Sequence, residues 1–180
     1  YACAAMEAGA HVFVEKPLAL TVAEAKRIVD QARIHQKVLM VGHLLHYHEG
    51  FRRLKQLNAE GVLGPLQYIY SNRLNLGKFR TEENIWWSFA PHDVSMILGL
   101  VGDMPNAVMA MGAKYLMHTV ADVTTTHLTF PKGQQAHIFV SWLHPYKEQK
   151  LVVVGEKAMA IFDDSLPWDS KLKLHPYPVE

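Results

Sequence analysis

The sequence contains little cysteine and no long apolar segment, and both absences narrow what the protein can be. Its only cysteine is Cys3, so no disulfide can form within the chain, and a reducing cytoplasm is the predicted compartment. No apolar run approaches the roughly 18 residues that cross a bilayer, and no signal peptide is evident. We therefore expect no membrane partner.

An excess of charge of one sign is also missing. The chain carries 18 Lys and Arg against 17 Asp and Glu, a formal net charge of +1, and no more than two cationic residues stand in succession. A nucleic-acid surface needs a basic patch, so nucleic acid is not an expected partner. Histidine is abundant instead, with 11 copies, and some of these should serve chemistry.

The first 42 residues alternate helix and strand. The pattern predicts a helix that ends at Gly9, short buried strands at 11–15 and 37–42, and between them a helix over 21–36 that opens with the capping box "TVAE". Strand, helix and strand in this order form a parallel βαβ unit. Because Tyr1 is not an initiator methionine and its helix is already under way, we expect at least one further element upstream.

The remaining residues favour a second domain. Two helices are predicted, at 49–60 and at 90–102, the second with Pro91 in its first turn. Strands are predicted at 66–76, 106–116, 121–130 and 135–143, and a hairpin at 150–164.

The predicted fold class is α/β plus α+β. Residues 1–42 form the C-terminal part of a Rossmann-type parallel sheet, a dinucleotide-binding domain. Residues 43–180 form an open, mainly antiparallel sheet with helices on one face, a substrate-binding and oligomerisation domain that we expect to be incomplete at its C-terminus.

Two strand ends of the first domain carry candidate cofactor contacts. Ligands of open α/β sheets bind beyond the carboxyl ends of the strands. Glu15, Lys16 and Pro17 follow the first strand, and Gly42 and His43 follow the second. Lys16 can extend its ammonium into this crevice, while Pro17 restricts the backbone beside it. The alternative is an ordinary surface lysine at the end of a strand.

His92 is the second catalytic candidate. The pattern puts it in or just before the first turn of its helix, where unpaired amides and the macrodipole disfavour a positive imidazole. A neutral imidazole accepts protons, as a general base must. The alternative is that Asp93 caps the helix while His92 packs beside Trp86 and Trp87.

The cluster "GHLLHYH" contains His43, His46 and His48. Its spacing differs from that of a zinc helix, so no metal site is predicted. We expect His43 beside a cofactor, with His46 and His48 lining the entrance. The remaining histidines in later strands and loops are expected to be structural, namely His118, His127, His137, His144 and His175.

The polar and aromatic stretch "SNRLNLGKFRTEENIWWS" holds the candidate substrate contacts. Cations here can pair with phosphate or carboxylate oxygens, and indole rings can stack on a sugar or a base. The alternative is a solvated loop. The candidates are Arg73, Asn75, Lys78, Trp87 and Ser88, with Arg80 and Trp86 as further possibilities.

With these positions identified, the chain resembles the Gfo/Idh/MocA family of nicotinamide-dependent sugar oxidoreductases. The segment "AGAHVFVEKPLALTVAEAKRIVDQA" is similar to its most specific motif. The resemblance implies that Lys16 lies between the nicotinamide ribose and the substrate, orients the reacting hydroxyl and relays its proton, and that the Lys–Pro bond is cis. "SFAPHDVSMILGLVG" resembles the family's Asp-x-Gly-x-His-x-x-Asp segment and maps His92 onto the catalytic histidine. The implied cofactor is NAD or NADP.

Two departures from the family pattern stand out. Ser88 replaces the aspartate that precedes the catalytic histidine by four residues, so His92 would work alone or with Lys16. The Gly-x-Gly-x-x-Gly phosphate loop is absent from these 180 residues. We therefore expect the fragment by itself to bind NAD poorly and to turn over nothing.

The segment "YIYSNRLNLGKFRTEENIWWSFAPHD" resembles a narrower branch of the family, one of nucleotide-sugar metabolism. Its members oxidise the 3-hydroxyl of UDP-N-acetylhexosamines or of their uronates. The resemblance thus implies a small nucleotide-sugar substrate. The rival interpretation is a non-catalytic regulatory or structural subunit. In either case we expect a homo-oligomer formed through the antiparallel sheet.

Overall fold

The computed structural model describes residues 1–76, 79–116 and 118–178. The chain divides into two compact units, Tyr1–Leu44 and Leu45–Glu180. Within the described ranges, no helix combines the length and the apolar character needed to cross a membrane. A cytoplasmic location remains a prediction, as does the division of cofactor and substrate binding between residues 1–42 and 43–180.

The first unit is a single βαβ element preceded by a short helix, as predicted. Its elements are α1 (Ala2–Glu7), β1 (Val12–Val14), α2 (Val22–Ile34) and β2 (Leu39–Val41), and the two strands pair in parallel. Gly9 follows α1 with a φ of +93°, a left-handed conformation that favours glycine. One half of the capping box is confirmed, because Thr21 Oγ1 accepts a hydrogen bond from the backbone amide of Glu24 at 3.2 Å. The Glu24 carboxylate accepts a hydrogen bond from the Thr21 hydroxyl and not from the Thr21 amide.

The prediction that β1 and β2 are buried strands is wrong for this unit. Phe13, the central residue of β1, is 55% exposed, and every residue of β2 is only half-buried. The physical reason is the size of the sheet, since two short strands do not make a surface that buries both of its faces.

The second unit is an α+β fold built on one broad sheet. Its helices are α3 (Glu49–Ala59) and α4 (Ile85–Val101). Its strands are β3 (Leu66–Leu74), β4 (Ala107–Ala113), β5 (Val123–Thr129), β6 (Gln135–Ser141), β7 (Glu148–Gly155), β8 (Ala158–Asp163) and β9 (Leu172–Pro176). Short 3₁₀ turns occupy Leu44–Tyr47, which begins at the last residue of the first unit, and Trp168–Ser170.

The seven strands lie in the order β4-β5-β6-β3-β7-β8-β9. Every neighbouring pair is antiparallel except β3 and β6, which run parallel with Ser71 opposite Ile138. The predicted mainly antiparallel sheet and the predicted hairpin at 150–164, formed by β7 and β8, are therefore confirmed. The parallel pair was not predicted, because periodicity along the chain shows that a strand exists but not which distant strand it joins.

The core lies between the sheet and its two helices. Phe51 and Leu54 of α3 and Ile97 of α4 are fully buried in one cluster with strand residues such as Ile138 and Phe162. Helices thus cover one face of the sheet, as predicted. The buried face of β3 is unusual, however, because Ile69 is followed at the next two inward positions by Ser71 and Arg73.

Candidate active site

The first group of candidate residues lies at the strand ends of the first unit. Because β1 and β2 are parallel, their carboxyl ends share one edge. The Gly42 amide donates to the Val14 carbonyl at 2.8 Å, so the hydrogen bonding between the two strands continues as far as Gly42, beside the residue that precedes Glu15. The Lys16–Pro17 peptide bond is cis, as the family resemblance implies. Lys16 itself is half-buried.

Gly42 lies directly against Glu15. A Cβ atom built on Gly42 would stand 3.1 Å from Glu15 Oε2 and 3.2 Å from Phe13 Cζ. Any larger residue at this position would displace the Glu15 carboxylate or the Phe13 ring. The structure therefore brings Glu15 and Gly42 together, from strands that are separated in sequence by a whole helix.

His43 completes the group, and its electrostatic environment is distinctive. Burial of the imidazole lowers its pKa below the usual 6.5, and the positive charge of Lys16 lowers that pKa further. The neutral ring is therefore the favoured form at neutral pH. Lys16 and His43, predicted separately at two strand ends, are close enough to interact.

These residues fit the nicotinamide end of a dinucleotide. Lys16 offers an ammonium donor, Glu15 a carboxylate acceptor and His43 a neutral ring, while Gly42 keeps the backbone accessible where a Cβ would fill the space beside Glu15. A cofactor with ribose hydroxyls and a carboxamide needs such a mixture of donors and acceptors. The roles of these residues, and of Pro17, remain predictions.

In the second unit, His92 does not occupy the predicted position. Helix α4 begins at Ile85, where Asn84 Oδ1 accepts the Trp87 amide at 3.1 Å, so His92 lies in the middle of the helix. Pro91 is consequently inside the helix and not in its first turn. The preference of proline for helix starts suggested the wrong boundary, whereas Asn84 was the usable signal. The macrodipole argument for a neutral His92 therefore does not hold.

Asp93 does not cap the helix either. Its carboxylate is 1% exposed and accepts Arg73 Nε at 2.8 Å, Arg73 Nη2 at 3.1 Å and Ser71 Oγ at 2.5 Å. This buried cluster joins α4 to β3 one residue after His92. Neither Asp93 nor Ser71 was predicted from the sequence to belong to a buried cluster or to the site. The usable signal was two polar residues, Ser71 and Arg73, at alternate positions on the inward face of a strand.

The helix around His92 has further specific features. Ser88 lies one turn before His92 on the same side of α4 and is 8% exposed. The His92 carbonyl accepts Ser95 Oγ at 2.8 Å. Pro91 has no amide hydrogen, so the usual helical bond to the Trp87 carbonyl cannot form there. The half-buried His92 side chain thus stands on a turn whose backbone bonding is interrupted.

The predicted substrate contacts separate by burial. Trp87 is 37% exposed in the first turn of α4. Asn75 is half-buried just beyond β3, where its backbone N–H donates to the Ser141 carbonyl at 3.1 Å. Arg73 and Ser88 are buried, and the guanidinium of Arg73 is engaged by Asp93. Lys78 lies outside the described residues. All five roles remain predictions, and exposure favours Asn75 and Trp87 as ligand contacts.

His46 and His48 both have structural partners in the second unit, and their predicted place at an entrance stays a prediction. His46 Nε2 lies 3.1 Å from the Ser95 carbonyl, and its ring packs edge-on against Phe51. His48 accepts the Gly50 amide as the N-cap of α3 and lies 3.4 Å from Asp164. No cluster of three or more potential metal ligands occurs among the residues that the structure describes.

A cavity of about 250 Å³ lies in the second unit. It is lined by His48, Arg53, Trp168 and Lys171, among others, and by none of the predicted site residues. Lys171 is already engaged there, since its ammonium lies 2.9 Å from Asp164 Oδ1. Size alone does not make this cavity part of the candidate site.

Comparison with known families gives the class of the protein. Residues 51–161 match the sequence profile of the GFO/IDH/MocA C-terminal domain. Residues 1–43 match that of the oxidoreductase family with an NAD-binding Rossmann fold. The chain therefore belongs to the Gfo/Idh/MocA family of oxidoreductases, whose nucleotide-binding domain takes NAD-type cofactors.

Individual relatives are consistent with this assignment. UDP-N-acetylglucosamine 3-dehydrogenase of Acidithiobacillus ferrooxidans is 30% identical over 138 residues, 76% of this chain and 42% of the relative. Inositol 2-dehydrogenase of Klebsiella pneumoniae is 30% identical over 168 residues, 89% of this chain and 50% of the relative. A solved structure of the Acidithiobacillus enzyme superposes with a TM-score of 0.87 at 26% identity, covering 97% of this chain and 56% of that one. The chain thus spans about half the length of the relatives it matches.

Proposed function

We propose that the protein containing this chain is an NAD(P)-dependent sugar dehydrogenase. The observation that carries the proposal is that a chain of this oxidoreductase family contains Lys16 and His92, the two residues that the resemblance maps onto the family's catalytic lysine and histidine. When bound, the nicotinamide supplies the chemistry of the reaction by accepting a hydride from the carbon that bears the sugar hydroxyl.

The two side chains divide the handling of the hydroxyl proton. Lys16 donates a hydrogen bond to the hydroxyl oxygen and stabilises the negative charge that develops there. An imidazole nitrogen of His92 accepts the proton as the carbon is oxidised to a carbonyl. Ser88 stands where an aspartate would pair with the histidine, so no carboxylate at that position orients the ring of His92.

For the substrate we propose a UDP-N-acetylhexosamine or its uronate, oxidised at the 3-position. The similarity to a UDP-N-acetylglucosamine 3-dehydrogenase supports this choice. Trp87 offers an exposed indole for stacking on a sugar or on uracil, and Asn75 offers an amide for hydroxyl groups. Inositol is the competing substrate, because an inositol 2-dehydrogenase is equally identical over more of the chain.

A non-catalytic role is the second candidate. Ser88 in place of the aspartate favours it, because loss of the partner of a catalytic histidine is a change expected in a family member that no longer turns over substrate. The presence of both Lys16 and His92 argues against it, since a regulator has no need of the pair.

Substitution of each catalytic candidate tests the proposal. In the full-length protein, Lys16→Ala and His92→Ala should each lower kcat by about 10²-fold or more. The matched controls are Lys26→Ala on α2 and His175→Ala on β9, both exposed, which should retain kcat. Near-normal turnover in the Lys16 or His92 variant would contradict the role given to that residue.

We also propose that the open face of the sheet joins two copies of the protein. This face carries Tyr70, His137 and Phe139 near its centre, with His137 stacked on Tyr70 at 5.4 Å, and ends in Met109 and Met111, which are 65% and 72% exposed. Exposed apolar and aromatic side chains on one face of a sheet are typical of an interface. Met111→Asp should convert a dimer to a monomer in sedimentation velocity. A wild-type monomer at the same concentration would refute the interface.

A further inference from the structure

The buried cluster of Arg73, Asp93 and Ser71 is more elaborate than packing requires. One carboxylate, 1% exposed, accepts three hydrogen bonds from two side chains of β3. A buried ion pair contributes little net stability, because desolvation offsets its attraction, and apolar residues of similar volume often serve the fold as well. A buried ion pair with several directional hydrogen bonds is better suited to holding two elements in one relative orientation than to adding stability.

The geometry it fixes belongs to the turn of α4 that bears His92. Pro91 removes one backbone hydrogen bond from this turn, and an internal proline costs a helix about 3 kcal/mol. The direction of α4 beyond Pro91 therefore depends on tertiary contacts. Asp93, two residues after Pro91, provides such a contact.

Strand β3, which carries the two residues that bind Asp93, is held rigidly in the sheet. Strand β3 lies inside the sheet between β6 and β7, with Arg73 opposite Val140 on one side and Gln149 on the other. Both donors of the cluster therefore come from a strand that is paired along its length. Asp93 is held against a surface that cannot readily shift.

Neighbouring residues of a helix point about 100° apart, so fixing Asp93 toward the sheet also fixes the direction of the His92 side chain. We propose that Asp93, held by Arg73 and Ser71, is a positioning residue that sets the orientation of His92. The inference rests on the proposed function. It assigns to this cluster the orienting role that an aspartate at position 88 would have, because Ser88 has no carboxylate.

Asp93 acts through the helix and not on the substrate. Its carboxylate faces β3 and is shielded from solvent, so it cannot receive a proton from a bound sugar. Ser71 has a second acceptor in the Lys150 carbonyl at 3.3 Å, which makes it the less critical donor. We therefore expect the effects of substitution to rank Asp93 above Ser71.

The test uses Asp93→Asn in the full-length protein, with Asp163→Asn as the matched control. Asp163 is also a buried aspartate, 6% exposed, and lies on β8, where it accepts hydrogen bonds from the amide and hydroxyl of Ser165. With both variants fully folded by circular dichroism, Asp93→Asn should lower kcat 10- to 100-fold, the order expected for a misplaced catalytic group, with KM little changed. Asp163→Asn should keep kcat within about twofold, and Ser71→Ala should lose less than Asp93→Asn.

A second readout separates positioning from the proposed reaction. In a protein labelled at histidine Cε1, the NMR resonance of His92 should shift in Asp93→Asn and stay in place in Asp163→Asn. An unmoved His92 resonance, or an equal loss of kcat in both variants, would overturn the positioning role. If wild-type protein oxidises no sugar, the proposed function fails, and the resonance alone still decides the positioning role.

Discussion

Replacing the buried ion pair between Arg73 and Asp93 by apolar residues provides a quantitative test of how β3 holds α4. The two side chains are 7% and 1% exposed and are joined by two hydrogen bonds. Removing either partner alone leaves an uncompensated charge in the core. Arg73→Met and Asp93→Leu should therefore each lower the free energy of unfolding by about 3–5 kcal/mol.

The double variant should behave differently from the sum of its parts. Together the two substitutions leave neither charge, and Ser71 can still donate to the Lys150 carbonyl. We expect the double variant to lie within about 2 kcal/mol of wild type, so the coupling between the two sites should be about 4 kcal/mol or more.

Equilibrium unfolding in urea, followed by tryptophan fluorescence, measures these values. The four tryptophans, Trp86, Trp87, Trp142 and Trp168, all belong to the second unit, so the signal reports on the unit that contains the pair. Additive single-variant losses, or losses below about 1 kcal/mol each, would refute the claim that the pair is a coupled element of the core.

Two further predictions follow from the described contacts. Gly155→Ala should lower the free energy of unfolding, measured in urea, by about 3 kcal/mol. Its Cβ would stand 2.1 Å from the backbone carbonyl oxygen of Leu63, and no side-chain rotation can remove that clash. A loss below about 1 kcal/mol would contradict this contact. Because burial and Lys16 hold the pKa of His43 below 6.5, its contribution to stability is present above pH 6.5 and is lost as the pH falls through the lowered value. Lys16→Met should raise that pKa in an NMR titration without restoring 6.5, since burial remains, and an unchanged pKa would refute the interaction.

Much of the fold could be predicted because its signals are local. The apolar positions of α3, with Phe51, Leu54 and Leu57 on one side, are the residues that the structure buries. Gly155 to Lys157 marks a hairpin, and the βαβ unit of the first 42 residues forms as predicted. The helix, the hairpin and each separate element of the βαβ unit depend on spacing within about a dozen residues.

The features that were missed depend on distant residues or on competing local signals. Pro91 and Asn84 both suggest a helix start, and the sequence does not show that packing of Ile85 and Trp86 against the core extends the helix backward from Pro91. The pairing of β3 with β6 and the contact between Arg73 and Asp93 join segments far apart in the chain. No periodicity records such contacts. Lys16 and His43 were found because parallel strands bring their carboxyl ends to one edge by geometry alone.

Oxidation of sugars by the full-length protein tests the central claim most directly. Purified protein would be incubated with NAD or NADP and with UDP-N-acetylhexosamines, their uronates, inositol or glucose, and the absorbance of the reduced nicotinamide recorded. We expect reduction with the UDP-N-acetylhexosamines or their uronates, and its loss in His92→Ala. Reduction with inositol alone would keep the dehydrogenase and discard the nucleotide-sugar substrate. Bound cofactor that no sugar reduces would contradict the account and favour the non-catalytic role.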